Sequence, residues 1–416
     1  MAAVLVACCA IGDSVYGQER RGTAQNPAVA DYLYEPDGYL VEPDAITRAA
    51  IYADRHFGKG DLTNGFYVDM GNQMVPGAGW IAVGPGYRRW YSKDQLFVDA
   101  SAAISWHNYR AVQARVELPK LMRSRLLLGG QAKLQDFTQI AFYGEGRGAT
   151  LSNESDYRLK STDVVGYATL RPVEWIAVDG GVGLLAPSIL APSGTFRHQR
   201  PSAEQLFARN AVFTHAEPTF MYTEIAVSAD RRDYPGHPTS GGLLRGAITG
   251  YADRDTGLFS FRRYEAEAQH FVPFDGARMV LALHGWVAAS QTEPGQIVPF
   301  YLEPGIGGQN SLRSFPDFRF HDRNLALLNV EARIKVFTHM DGAVFVDAGN
   351  VAERFGDLNL DKRSYGVGVR FHTRRETFAR VDAARGVEGW RLTFRLTEPL
   401  NPSRYSRRTA DAPFVP

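Results

Sequence analysis

Apart from Cys8 and Cys9, both inside an apolar opening stretch, the 416-residue chain contains no cysteine. A mature chain that starts beyond that stretch has no disulfide framework and no thiolate metal site. No run approaches the ~20 apolar residues that a membrane-spanning helix needs. An excess of one charge is missing too, because 46 Lys and Arg residues nearly cancel 45 Asp and Glu residues. That balance excludes a global field steering the chain toward nucleic acid. There is no Gly-x-Ser-x-Gly nucleophile elbow, no His-Glu-x-x-His zinc motif and no phosphate-binding Gly-Lys-Ser/Thr loop. The sequence thus offers no catalytic residue, no cofactor and no metal site, and the expectation is a protein that is not an enzyme. Asp253-Arg254-Asp255-Thr256-Gly257 lacks the downstream acidic ligand of a calcium loop and reads as a hairpin turn. His237, between Pro235 and Pro238, reads as a loop histidine, and Gly144 to Gly148 as loop.

What the chain does have is two-residue periodicity. From Leu325 to Phe337 the even positions are Ala326, Leu328, Val330, Ala332, Ile334 and Val336, while the odd ones include Asn329, Glu331, Arg333 and Lys335. Such a split describes an extended strand with one apolar and one polar face. The same pattern recurs along the chain. Leu96, Val98, Ala100, Ala102 and Ile104 oppose Asp99, Ser101 and Ser105; Tyr264, Ala266 and Ala268 oppose Arg263, Glu265, Glu267 and Gln269; Trp390, Leu392 and Phe394 oppose Arg391, Thr393 and Arg395. Ions and amides on the polar faces would be costly in hydrocarbon and belong in a hydrated lumen. A transmembrane antiparallel β-barrel of about sixteen strands follows, an even number suiting a single-chain bacterial barrel. Its first strand is the weak candidate near Leu62 to Asn72. Negative mean hydropathy does not conflict with this, since only one strand face is apolar.

The domain plan has four parts. Residues 1–17 read as a secretory signal peptide, with small residues before Gln18 but no Lys or Arg ahead of the apolar stretch. Residues 18–61 read as a periplasmic tail or a small plug, with a helix from Asp44 to His56 carrying Ile46, Ala49, Ala50 and Ala53 as a narrow stripe. Residues 62–400 form the barrel and residues 401–416 a C-terminal tail. Gly144 to Lys160, Pro187 to Glu217 and Gln291 to Asp322 read as outer-surface loops, and short turns such as His372 to Glu376 suit the periplasmic side.

Two motifs go further. Leu312-Arg313-Ser314-Phe315, in a Gly- and Pro-rich loop, resembles the hydrophobic-Arg-Gly-aromatic motif of the BamA/TamA superfamily of outer-membrane assembly proteins, also called bacterial surface antigens. Phe345-Val346-Asp347-Ala348-Gly349 resembles that family's Phe-x-Asp-x-Gly strand motif, and the specific likeness spans about residues 299–399. The resemblance implies that the loop folds into the lumen, where Arg313 meets Asp347 and Glu331 on the inner wall. Leu312, Ser314, Phe315, Phe345 and Gly349 would support this lock. It also implies insertion or translocation of proteins or lipids at a Gram-negative outer membrane, through a seam between first and last strands. Expected partners are outer-membrane lipids, unfolded outer-membrane protein or lipid clients and a separate periplasmic partner, but no nucleic acid. Ser314 replaces the family's glycine, which predicts a differently shaped loop tip, since glycine allows backbone angles that strain serine. The alternative is a passive channel or structural surface barrel.

Overall fold

The computed structural model describes residues 37–57, 64–69, 82–93, 95–194, 200–396 and 400. The expected signal peptide, most of the polar segment before the barrel and residues 401–416 lie outside them.

The strands run in chain order: β1 (Gly65–Asp69), β2 (Ala82–Tyr91), β3 (Leu96–Ser105), β4 (Arg110–Leu121), β5 (Leu126–Phe142), β6 (Ser155–Val173), β7 (Ile176–Leu190), β8 (Phe220–Asp230), β9 (Gly241–Asp253), β10 (Phe261–Phe274) and β11 (Met279–Gln291). Two short loop strands follow, β12 (Gly305–Ile306) and β13 (Phe320–His321). The series ends with β14 (Asn324–Phe337), β15 (Met340–Ala352), β16 (Lys362–His372), β17 (Thr377–Gly386) and β18 (Gly389–Arg395). Without β12 and β13, these form one sixteen-stranded sheet in which every strand pairs with its neighbour in sequence, β11 pairing with β14. The pairings are antiparallel. The fold is a transmembrane antiparallel β-barrel with a long inward-folded loop. Among the described residues, no ladder joins β1 to β18.

The two faces differ as hydrocarbon and water require. Val112, Leu134, Val164, Val182, Ile225, Leu244, Ile248, Val344, Val367 and Leu392 all point outward and are exposed. A water-soluble surface would not display so many large apolar side chains in one band. Lys133, Glu267, Arg245, His284 and Asn329 point inward and are buried. Each buried polar group needs a partner: Tyr222 donates to Asp163 at 2.7 Å, Tyr167 to Glu117 at 2.7 Å, and His284 lies 2.8 Å from both Glu267 and Asn329.

Connections at one end are short. The exception there is 231–240, between β8 and β9. The other end carries residues 143–154, 191–219 and 292–323. Two expected loop limits shift: Ser155 to Lys160 belongs to β6 and Pro187 to Leu190 to β7. Pairing of Arg158 with Leu190 and Lys160 with Ser188 explains the difference, because this hairpin extends its ladder into residues whose polarity suggested a loop. Residues 191–219 also hold two one-turn helices, α2 (Ala203–Leu206) and α3 (Ala211–Thr214). The turn at Asp253 is built as a hairpin connection should be, its carboxylate accepting from the backbone amides of Asp255, Thr256, Leu258 and Phe259.

Ahead of the barrel, helix α1 (Asp44–Phe57) buries Ala50 and Ala53. The segment leading into it is tied to the short-turn end. Tyr39 and Leu40 donate backbone amides to the carbonyls of Lys335 and Val336 at 3.1 and 2.9 Å. Lys335 pairs with Asp37 at 2.7 Å, and Glu42 accepts from the backbone amide of His339 at 2.6 Å.

Candidate functional site

The loop between β11 and β14 turns back into the barrel, and apolar side chains hold it there. Phe300, Tyr301 and Leu302 pack among Phe137, Phe142 and Tyr157 on the inner faces of β5 and β6. Leu312 and Phe315 are fully buried with Trp286, Ile306, Phe320, Leu325, Leu327 and Val351. Burying such side chains contributes roughly 1.5–3 kcal/mol each. The chain between them is tight: Gly308 and Phe315 share a 3.0 Å backbone hydrogen bond, and the Ser311 hydroxyl accepts from the Gly307 amide at 2.9 Å. Gly307 and Gly308 have φ of 126° and 84°, a region that favours glycine, and a Cβ on either would strike Pro316 or Asp317.

Held between two apolar anchors, Arg313 enters a ring of charge. Its backbone amide and Nε donate to Asp347 Oδ2 at 3.1 and 3.0 Å, and its Nη2 donates to Oδ1 at 2.7 Å. Nη1 donates to Glu331 Oε2 at 2.5 Å. The guanidinium lies over the Phe345 ring, 3.3 Å from its centroid. Asn329 donates both to Asp347 and to the Ser311 carbonyl, each at 2.8 Å, so one wall amide holds carboxylate and loop together. Burial alone would lower the arginine's affinity for its proton, but Asp347 and Glu331 outweigh it, and Arg313 stays charged. A planar fork facing a carboxylate edge is the arrangement that favours Arg over Lys.

The network is wider than the sequence motifs indicate. Glu331 also accepts from Arg370 at 2.8 Å and Arg333 at 2.9 Å. Asp382 pairs with Arg370 at 2.6 Å and Arg380 at 2.9 Å, while Arg380 donates to the Gln309 carbonyl and the Asn310 side chain. All seven ionic side chains are buried. Four arginines against three carboxylates leave one positive charge, and strands β14, β15, β16 and β17 each supply members. Sequence reading missed Arg370, Arg380 and Asp382. Inward parity on β16 and β17 was the available signal, but which neighbours they meet depends on register.

Ser314 is accommodated. It does not have a positive φ, its amide donates to Ser364 Oγ at 3.1 Å, and the two hydroxyls are 2.6 Å apart. A Cβ on Gly386 would lie 2.2 Å from Ser314 Oγ, so the missing side chain at 386 provides the space that serine fills. The tip is therefore not strained by the departure from glycine. Gly349 serves similarly: a Cβ there would approach the Ala326 carbonyl at 2.8 Å and Ile306 at 3.2 Å.

Where the loop leaves for β14, three acids gather. Burial, then Glu145 and Asp322, push the Glu303 carboxyl well above its ordinary value. Burial pushes Asp322 up to about 6, with the neighbouring Arg323 amide acting against it. Burial also raises Glu145, which receives a hydrogen bond from Asn210.

Fold and clasp together define a transmembrane β-barrel whose inward loop is ionically fastened to the wall of its C-terminal strands. The sequence profile of the Omp85 superfamily domain matches residues 208–374, a stretch containing the loop, the arginine motif and Asp347. Among solved structures the chain is similar to BamA from Haemophilus ducreyi lacking POTRA domains 1–3, at 12% identity and TM-score 0.59, covering 89% of this chain and 81% of that one. CdiB from Escherichia coli gives 13% identity and TM-score 0.50, covering 80% of this chain. The chain spans 61% of the length of that CdiB. Comparison with curated proteins by sequence finds no match.

Proposed function

We propose that this barrel sits in a Gram-negative-type outer membrane and inserts or translocates protein or lipid clients there, without enzymatic chemistry of its own. The observation that carries the proposal is the inward loop, clasped by Arg313 to Asp347 and Glu331 in a barrel whose residues 208–374 match the Omp85 superfamily domain. Members of that superfamily act on protein or lipid clients in the outer membrane. The clasp holds β14 to β17 as one rigid wall, and among the described residues the strands beside the seam are the shortest of the sixteen. β1 has five residues and β18 seven, against seventeen in β5 and nineteen in β6. Fewer backbone hydrogen bonds to exchange make that line the cheapest place for the wall to part. Outer-membrane lipids, an unfolded client strand and a separate periplasmic partner are the matching partners.

The test introduces one cysteine into Gly65–Asp69 and one into Gly389–Arg395, in a chain whose other cysteines are only Cys8 and Cys9. Oxidation should reduce the level of other proteins in the outer membrane of cells depending on this variant, and a reductant should restore it. An unchanged outer-membrane proteome in cells carrying the cross-linked form would overturn the proposal.

A further inference from the structure

The longest short-end connection, 231–240, reaches the turn between β16 and β17. Gly236 bridges to Glu376, and the Thr377 amide donates to the Gly236 carbonyl at 2.9 Å. A Cβ at 236 would lie 2.6 Å from the Arg375 carbonyl, so the approach depends on glycine there. β8 and β9 stand far from β16 and β17 in the strand order, so this connection crosses the barrel mouth rather than following its rim.

At the crossing, His237 from the connection meets Asp341 and His372 from the inner wall. All three are buried, and their ligand atoms lie within 4.8 Å of one another. His372 Nε2 is 3.1 Å from Asp341 Oδ1 and His237 Nε2 is 3.4 Å from Oδ2. Donors bound tetrahedrally to one zinc ion at about 2.0–2.1 Å are separated by roughly 3.3 Å. Each imidazole already stands at about that distance from the carboxylate, one from either oxygen, and a small carboxylate rotation brings one oxygen to both. The second nitrogens are also held. His372 Nδ1 is 3.0 Å from the Thr373 carbonyl, which can only accept, so this nitrogen carries hydrogen. His237 Nδ1 is 3.0 Å from Thr377 Oγ1. Fixing one imidazole nitrogen by hydrogen bonding while the other faces the metal is how metal-binding histidines are oriented.

We propose that His237, Asp341 and His372 bind a divalent zinc-class cation that fastens the 231–240 connection across the short-turn mouth. Two imidazoles and one carboxylate form the donor set, and water completes the shell. The rings, stacked at 3.8 Å with planes 10° apart, must splay for both lone pairs to reach one ion. Cationic neighbours do not occupy the place, since Arg333 is engaged by Glu331 and Lys335 by Asp37. His339, whose carbonyl accepts from the His372 amide at 3.0 Å, is itself bonded to Glu42. The site therefore couples the crossing to the segment preceding the barrel. Sequence spacing shows no metal motif because Asp341 and His372 come from the paired ends of β15 and β16, and His237 joins them only through this crossing.

The test uses the full chain without a histidine tag, with Cys8 and Cys9 changed to Ser, stripped by chelator and titrated with Zn2+ alone. One ion per chain is expected by calorimetry, with the Thr377 amide exchanging more slowly once zinc is bound. His372→Ala and the gentler His237→Gln and Asp341→Asn should each weaken binding by more than about tenfold. No binding to the stripped protein, or unchanged affinity in folded His237→Gln and Asp341→Asn, would overturn the proposal. A Thr377 amide protected equally with and without zinc would also overturn the fastening.

Discussion

Arg313 illustrates how one side chain joins two kinds of packing. Leu312 and Phe315 on either side bring the loop into contact with the wall through apolar burial, and the guanidinium then sets its register. Replacing Arg313 by Ala leaves Asp347 and Glu331 beside each other with fewer donors, and removing one member of such a desolvated set typically costs about 3–5 kcal/mol. Asp347→Asn in the same chain removes one of the stranded charges. The double variant should therefore lose less stability than the sum of the single ones, as read by urea unfolding of the barrel in bilayers. Strict additivity would mean that the pair is not coupled. Arg313 and Asp347 were legible from two short motifs. Arg370, Arg380 and Asp382 were not, because nothing local distinguishes an inward arginine that faces an acid two strands away from one that faces water.

Among the elements, alternation made the strands readable. The run from Leu325 to Phe337 became β14 with the expected inward set, and the weak candidate near residue 65 became β1. The two-residue strands β12 and β13 left no such trace, since their pairing of Gly305 with His321 depends on the loop's tertiary path. The same loop should be pH-sensitive. Asp322 has its folded value raised to about 6, against about 3.9 in an unfolded chain. The folded form therefore holds the proton more tightly. Its stabilising contribution is full at pH values below the unfolded one and is lost as pH rises through the folded one. The protection of amides across residues 292–323, taken relative to the intrinsic exchange rate at each pH, should rise when pH falls from 7.5 to 5, and Asp322→Asn should flatten that dependence. Equal slopes in both proteins would refute the assignment.

At the scale of the whole molecule, the chain displays an apolar exterior and a filled, ionic interior, and the loop occupies the lumen near its long-loop end. A passive channel is the competing description, and conductance separates the two. Reconstituted in planar bilayers, the barrel should pass only small, fluctuating currents, and Arg313→Ala should increase them as the loop loses its hold. A large steady conductance that the substitution leaves unchanged would favour the open pore. The gross architecture was legible because one-sided strands are what a lipid boundary demands of any chain. The crossing by residues 231–240 was not, because a polar, Pro-rich connection reads the same whether it hangs in water or spans the mouth.

Nearest-neighbour pairing has a kinetic corollary. Successive hairpins form with little loop-closure entropy, since each new strand joins the one just made. The arginine cannot follow that order. Its partners lie on β14 and β15, and the counterions that complete them arrive with β16 and β17. A nascent barrel can therefore seat the loop's apolar anchor on β5 and β6 early, but it must carry the arginine unpaired until the last quarter of the polypeptide has joined the wall.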